Sequence, residues 1–269
     1  MDDITALILT FNERENISRT LDSVSWVPKI LIIDSCSTDE TVRLASNYPN
    51  VSVIQRAFDS HPNQWNFGLE KVETPWVLTL DADYRLSDRL VAEIQSLNPD
   101  ENIAGYEAEF EYQIGGRSLR ASVYPPRIVL FRLNQGKYVD DGHTQLLKID
   151  ASKEPRPSNT RTRIERFSGK IYHDDRKPLT RWLQEQDRYA KLEARHLLSI
   201  PVEQLSFQDR LRRKIFFAAP AMFLYLLFGR GLILDGWRGW YYVAQRTIAE
   251  LLLSLRLIEG RVGEGKGEG

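Results

Sequence analysis

The sequence predicts an α/β fold: a mostly parallel sheet with helices on both faces, followed by C-terminal amphipathic helices. Two observations carry the prediction. Over residues 1–100, short apolar runs rich in β-branched residues alternate with helical stretches, which implies right-handed βαβ units. After Pro99 the period changes to two, with a Gly115-Gly116 turn, which is the signature of antiparallel strands.

Residues 4–10 read as a strand that runs into the polar loop Phe11-Asn12-Glu13 and a helix over 15–25. Residues 30–33 form a second strand, stopped by Asp34-Ser35-Cys36-Ser37-Thr38-Asp39. The helix after it starts near Asp39 or Glu40 and ends before Pro49. Residues 51–54 are a third strand and 64–72 are helical. Residues 76–80, bounded by Pro75 and a polar turn, are a buried fourth strand. Beyond residue 100, strands are expected at 106–112, 119–123, 128–132 and 145–149, with a loop at 155–162. Residues 179–198 are helical and highly charged. Ser206-Phe207-Gln208-Asp209 resembles a capping box.

The basic residues Arg210, Arg212, Arg213 and Lys214 precede an apolar run over 215–228, and Trp237, Trp240, Tyr241 and Tyr242 follow. The run is shorter than the roughly 20 residues of a spanning helix and is interrupted by Pro220. Two readings fit: helices lying in a membrane interface, or a buried helix pair. The organisation expected is thus an α/β half at 1–100, a second half of the same domain at 101–178, a helical segment at 179–260 and a disordered tail at 261–269.

The formal net charge of −1 gives no global field to attract nucleic acid. The single cysteine, Cys36, rules out an internal disulfide and fits a reducing compartment. The acidic start Met1-Asp2-Asp3 lacks the features of a signal peptide, so the cytosol is expected. Neither a G-x-G-x-x-G nor a G-x-x-x-x-G-K-[ST] motif is present, so metal and side chains must hold any diphosphate.

The chemistry concentrates at strand ends. Asp81-Ala82-Asp83 closes the fourth apolar run. Residues i and i+2 of a strand share a face, so two carboxylates are expected side by side, with Mg²⁺ or Mn²⁺ as their guest. The competing reading is a polar turn before a helix capped by Ser87. Thr10, Asn12 and Glu13 end the first strand, Asp34 and Ser35 the second, and Gln64 and Asn66 open the helix before Asp81. Asp39 reads as a helix cap.

Thr10-Phe11-Asn12-Glu13, the stretch from Ile33 to Thr41, Asn66-Phe67-Gly68-Leu69 and Leu80-Asp81-Ala82-Asp83 resemble successive motifs of family 2 glycosyltransferases with the GT-A, Rossmann-like fold. Tyr124-Pro125-Pro126-Arg127, Leu130-Phe131-Arg132 and Asp235-Gly236-Trp237-Arg238-Gly239-Trp240 resemble the lipopolysaccharide core β-glucosyltransferase branch. The resemblance implies inverting transfer from a nucleotide-sugar, with a UDP-hexose favoured. Residues 1–100 would bind the donor through Thr10, Asn12, Glu13, Asp34, Ser35, Gln64, Asn66, Asp81 and Ala82, and residues 101–178 would form the acceptor side. Asp34 would contact the nucleobase, Asp81 would lie near ribose and metal, and Asp83 would ligate the metal. Ser35 stands where many members have a second aspartate.

Inverting transfer needs a carboxylate to take the acceptor's proton. The family places it after the D-x-D, where Asp141, then Asp140, are the candidates; Asp141-Gly142 equally fits a plain turn. His173 is either a third metal ligand, which would favour Mn²⁺, or structural. Arg127 and Arg132 are candidates to pair with phosphates. The expected partners are a nucleotide-sugar, a glycan or glycolipid acceptor and the inner face of the cytoplasmic membrane, with no nucleic acid. Polyprenyl phosphate as acceptor and a non-catalytic nucleotide-sugar-binding scaffold are the rival readings.

Overall fold

The computed structural model describes residues 3–141, 144–150, 162–215 and 217–264; the side chains of residues 140, 141, 144, 145, 263 and 264 lie outside that description. The chain divides into two compact units. Unit 1 holds residues 1–118 and 123–176, and unit 2 holds residues 119–122 and 177–269.

Unit 1 is built on a nine-stranded sheet. Its first part runs β1 (Ile4–Thr10), α1 (Ile17–Ser23), β2 (Lys29–Asp34), α2 (Thr41–Ala45), β3 (Val51–Gln55), α3 (His61–Leu69), β4 (Trp76–Asp81), β5 (Tyr84–Leu86) and α4 (Asp88–Gln95). Its second part adds β6 (Ile103–Ile114), β7 (Arg117–Ser118), β8 (Arg127–Arg132), β9 (Gly136–Asp141), β10 (Thr144–Ile149) and β11 (Arg163–His173). The strand order is β3-β2-β1-β4-β8-β6-β11-β5, with β7 on β6 and β9–β10 as a separate hairpin. β1 pairs in parallel with β2 and β4, and β2 with β3, as the βαβ alternation predicts.

Alternation along the strands makes two cores. Ile4, Ala6, Ile8, Ile30, Ile32, Leu78 and Leu80 pack with Ile17 and Leu21 of α1 and Leu90 and Ile94 of α4. Leu7, Leu31, Ile33 and Val77 pack on the other face with Trp65 and Leu69 of α3, Phe131 and Tyr138. Each such side chain contributes roughly 1.5–3 kcal/mol by leaving water. Ser87 caps α4 by accepting from Leu90 N at 3.3 Å. α3 starts three residues earlier than expected because Ser60 caps it and Pro62 fits its first turn.

One expected strand is absent and two strands were not expected. Residues 119–123 form no strand: pairing with β6 stops at Ser118, and Pro125 and Pro126 lack the N–H a ladder needs. The turn before it stands, with Gly115 and Gly116 at φ 58° and 75°. Residues 136–141 form a strand that was not expected, in register with β10 from Gly136↔Ile149 to Asp141↔Thr144. β11 was not expected; Gly169 and His173 occupy two of its inward positions, so the buried face is not a run of apolar residues.

Asn66 ties the hairpin to α3. Its Nδ2 donates to Tyr138 O at 2.8 Å and its Oδ1 accepts from Tyr138 N at 2.9 Å. The Tyr138 ring stacks on Trp65, with centroids 5.1 Å apart, and its hydroxyl meets Thr79 Oγ1 at 3.0 Å.

Unit 2 contains α5 (Leu179–Ser199), α6 (Phe207–Arg213), α7 (Ala218–Leu224), a π-helical turn at Tyr225–Gly229, a 3-10 turn at Leu232–Asp235 and α8 (Trp237–Glu264). Ser206 caps α6 by accepting from Asp209 N. Ala190, Ala194 and Leu197 of α5 pack with Leu253 and Leu257 of α8. The basic run on α6 is used internally, contrary to its reading as a set of lipid-facing cations. Arg212 bridges Glu250 at 2.8 Å and Glu193 at 3.6 Å. Arg210 Nε and Arg213 Nη1 donate to the carbonyls of Leu205 and Ile200, each at 2.9 Å. No described helix is long and apolar enough to cross a membrane.

Two stability predictions follow from the close packing. A Cβ at Gly169 would lie 2.4 Å from the Leu90 backbone, so Gly169→Ala should cost about 1–3 kcal/mol in urea unfolding. Asn66→Ala leaves both polar groups of Tyr138 without their side-chain partner. It should lower stability by about 1–3 kcal/mol and speed exchange of the Tyr138 amide in hydrogen-exchange mass spectrometry.

Candidate functional site

The carboxyl ends of β1, β2 and β4 share one rim, where open α/β sheets bind ligands. Asp34 organises it. Its carboxylate is 0 % exposed. Oδ1 accepts from Thr10 Oγ1 at 2.8 Å and Ser37 Oγ at 2.5 Å, while Oδ2 accepts from Ser37 N at 2.8 Å and Gln55 Nε2 at 3.3 Å. Both oxygens are therefore engaged by the strand ends and the loop after β2.

The neighbouring polar residues do the same. Asn12, at φ 54°, donates from its backbone N to Ser37 Oγ at 2.7 Å and accepts from Thr38 N at 2.7 Å. Glu13 N donates to Thr41 Oγ1 at 2.6 Å. Asp39 accepts from Thr41 N at 2.9 Å as a turn contact two residues on; the N-cap of α2 is Glu40, so Asp39 is not the helix cap expected of it. Gln64 is 0 % exposed; its Nε2 donates to Ser35 Oγ at 3.0 Å and Arg56 O at 3.1 Å, and its Oε1 accepts from Arg56. Ala82 O accepts from Thr20 Oγ1 at 2.6 Å. Thr10, Asn12, Ser35, Gln64 and Asn66 thus shape the rim chiefly by bonding to one another's loops.

Asp81 and Asp83 reach the rim differently from the expectation. β4 ends at Asp81, and Ala82-Asp83 is a turn leading into β5. The period-two argument therefore does not apply, and each carboxylate meets its own neighbours. Asp81 acts electrostatically on Arg127, Tyr84 and Tyr138. Burial pushes the Tyr84 and Tyr138 hydroxyls above the ordinary range, and Asp81 adds to both shifts. Burial works to lower the Arg127 pKa, but Tyr84, Asp81, Tyr124 and Tyr138 together raise it, so this guanidinium stays charged.

Asp83 Oδ2 lies 3.3 Å from His173 Nε2, and both side chains are largely buried. Strand register makes this contact. β11 places His173 opposite Tyr84 of β5 on one side and Tyr112 of β6 on the other, and Asp83 is the residue before Tyr84. The imidazole sits among Tyr84, Tyr112 and Tyr124, with ring centroids at 5.2, 4.9 and 4.6 Å. Its Nδ1 is buried without a hydrogen-bond partner.

The segment after His173 is clamped to α1, which sequence reading missed. Arg19 donates to Asp174 O at 2.7 Å and to Asp174 Oδ2 at 3.0 Å. Asn16 Nδ2 donates to Asp175 Oδ1 at 3.2 Å, and its Oδ1 accepts from Arg176 N at 3.2 Å. These partners are more than 150 residues apart, so no local pattern announces them. Arg132, by contrast, belongs to the opposite rim. Its register partner is Trp76 at the start of β4, its guanidinium lies 4.7 Å from that ring, and Nε donates to Ile103 O at 2.9 Å.

A divalent cation would find one carboxylate and one imidazole already adjacent. Among the described residues, no three His, Cys, Asp or Glu side chains converge into a metal cage. Asp83 and His173 would offer such an ion two donors, and further oxygens would have to complete its shell. Asp140 and Asp141 end β9 beside the Gly142-His143 connection, which lies outside the described residues, as do these two side chains.

Comparison with known proteins agrees with the architecture. Over 265 residues the chain is 25% identical to the lipopolysaccharide core biosynthesis glycosyltransferase LpsC of Rhizobium meliloti, covering 95% of this chain and 92% of that protein. It is 35% identical over 115 residues to an uncharacterized glycosyltransferase of Rickettsia felis, covering 42% of this chain and 39% of that one. The mannosyltransferase PcManGT of Pyrobaculum calidifontis, solved with GDP-Man and Mn²⁺, superposes with a TM-score of 0.53 at 14% identity, covering 97% of this chain and 87% of that one. This likeness is one of fold, shared with GT-A glycosyltransferases. The profile of glycosyl transferase family 2 matches residues 5–154, more than half of the chain: the chain belongs to glycosyl transferase family 2.

Proposed function

We propose that this glycosyltransferase moves a hexose, with inversion, from a UDP-sugar to a hydroxyl of a lipid-linked or lipopolysaccharide-type glycan at the cytoplasmic face of a membrane. The observation that carries the reading is the Asp83–His173 contact at the carboxyl rim of a family 2 domain. The similarity to LpsC supports the acceptor class.

In this reading the loop web around Asp34 and Gln64 holds a pocket for the nucleoside, with Asp34 acting through Ser37 and Thr10. Asp81 lies toward the ribose. Asp83 and His173 hold Mg²⁺ or Mn²⁺, with Mn²⁺ favoured by the imidazole. When bound, the cation neutralises charge that grows on the departing diphosphate. Arg127 adds a fixed positive charge beside Asp81. The acceptor oxygen attacks the anomeric carbon, and the bond to the diphosphate breaks on the opposite face. Asp141, or failing it Asp140, takes the hydroxyl proton. Membrane contact is supported by the exposure of Phe217, Phe228 and Leu234 in unit 2, at 60 %, 59 % and 69 %, with Arg230 close to Tyr225.

The test is transfer from a panel of nucleotide-sugars, with thermal shift to read donor binding. UDP-hexoses with Mn²⁺ should raise the melting temperature and GDP-sugars should not. Asp83→Ala and His173→Ala should each lower kcat/KM on the order of 10²-fold and abolish the Mn²⁺-dependent part of the shift. Asp141→Asn should lower kcat by roughly 10²–10⁴-fold with the donor shift intact, and more than Asp140→Asn does. Unchanged turnover in Asp83→Ala would refute the assignment of the metal seat.

A further inference from the structure

We infer that the outer face of α8 is a self-association seam that binds α8 of a second copy of this chain, antiparallel. α8 has 28 residues. Its inner face packs on α5 through Leu253 and Leu257, which are 5 % and 0 % exposed. On the other side Tyr241, Ile248, Leu251, Leu255, Ile258 and Val262 are all exposed, at 39, 38, 49, 61, 39 and 57 %. Trp237, 62 % exposed, and the exposed Ala244 complete the series. From Trp237 the spacing is four, three, four, three, four, three, four. This is the a/d pattern of a coiled-coil seam, sustained without a break. At 1.5 Å per residue it runs about 38 Å.

The flanks favour a protein partner over a lipid surface. A helix lying in a membrane interface has a broad apolar face, whereas here the stripe is two positions per heptad, between mostly polar neighbours such as Arg238, Thr247, Glu259 and Arg261. The same flanks favour the partner being a second α8. Place a two-fold axis midway between Ile248 and Leu251. Ile248 then meets Leu251 of the second copy, Ala244 meets Leu255, Tyr241 meets Ile258 and Trp237 meets Val262. Small opposes large at Ala244, and every core layer is apolar. In the same register Arg238 faces Glu259 of the second copy, and Trp240 faces Arg261, a cation over an aromatic ring. A two-fold interface has to be self-complementary, and this stripe and its flanking charges are. Within one chain, Arg238 lies 4.5 Å from its own Trp237 ring and Glu259 accepts from Arg256 at 2.5 Å, so both groups already sit at the seam's edge.

The inference stands apart from the transferase reading and is tested without a substrate. Light scattering on the full chain in detergent-free buffer should read twice the chain mass. Leu255→Glu, at an exposed position, should halve it while circular dichroism stays unchanged. Arg238→Glu and Glu259→Arg should each weaken the dimer, and the double variant should restore it. In a Cys36→Ser background, Ala244→Cys with Leu255→Cys should form an intermolecular disulfide, and Ala244→Cys alone should not. A wild-type monomer would overturn the proposal, as would cross-linking by Ala244→Cys alone, which means parallel helices. Monomers that sediment with anionic vesicles, and lose that ability in Leu255→Glu, would assign the stripe to lipid instead.

Discussion

The lateral pairing of β11 with β5 and β6 is the constraint on which the candidate site depends. β5 is three residues long, and its antiparallel register with β11 sets His173 against Tyr84. Asp83 is fixed by the turn that enters β5, so one ladder determines the distance between a carboxylate and an imidazole nearly a hundred positions apart. A one-residue slip would turn His173 to the other face of the sheet. Two devices oppose that slip. Tyr84, Tyr112 and Tyr124 enclose the ring, and Arg19 holds the next residue through both its carbonyl and its carboxylate. Asp174 is 4 % exposed, so this ion pair is far better insulated from solvent screening than a surface pair.

The first strand-end loops follow a different logic. A rim dense in Asp, Asn, Gln, Ser and Thr looks from sequence like a binding surface. Most of those groups instead satisfy one another, because three loops that leave the sheet together carry backbone N–H groups with no helical or ladder partner. Asn12 and Cys36 both take left-handed backbone, at φ 54° and 61°, which costs on the order of 1 kcal/mol for a residue with a Cβ. The Asn12 side chain offsets its share by accepting from Thr38 N. Such a web pre-organises the rim before any ligand arrives, which lowers the ordering cost of binding.

What was legible in the sequence was local. The apolar runs of β1, β2 and β4, the Gly115-Gly116 turn and the Ser87 and Ser206 caps depend on residues within a few positions of each other. The family motifs lie in the same stretch. β11 was hard to read because its outward residues Arg166 and Lys170 pair with charges on β6: Arg166 reaches Glu107 at 2.7 Å and Lys170 reaches Glu111 at 3.7 Å. Its inward positions are Phe167, Gly169, Ile171 and His173, and the glycine and histidine among them weaken the apolar alternation. The D-x-D geometry was misjudged for a related reason. Side-chain period two holds only while the strand lasts, and whether β4 ended at Asp81 or ran past Asp83 depended on β5, which pairs with a strand some eighty residues later.

These features together bear on how charge is arranged at the rim. Two aspartates in one short turn would repel each other if both faced a common space. Here each has its own positive or polarisable neighbour, Arg127 for Asp81 and His173 for Asp83. Arg127 keeps its charge, because a guanidinium does not lose its proton in proteins and the Asp81 carboxylate beside it opposes the effect of burial. The rim thus sets a permanently charged guanidinium beside Asp81 and a buried imidazole beside Asp83, so the two carboxylates of one short segment are each met by a different neighbour from the protein itself.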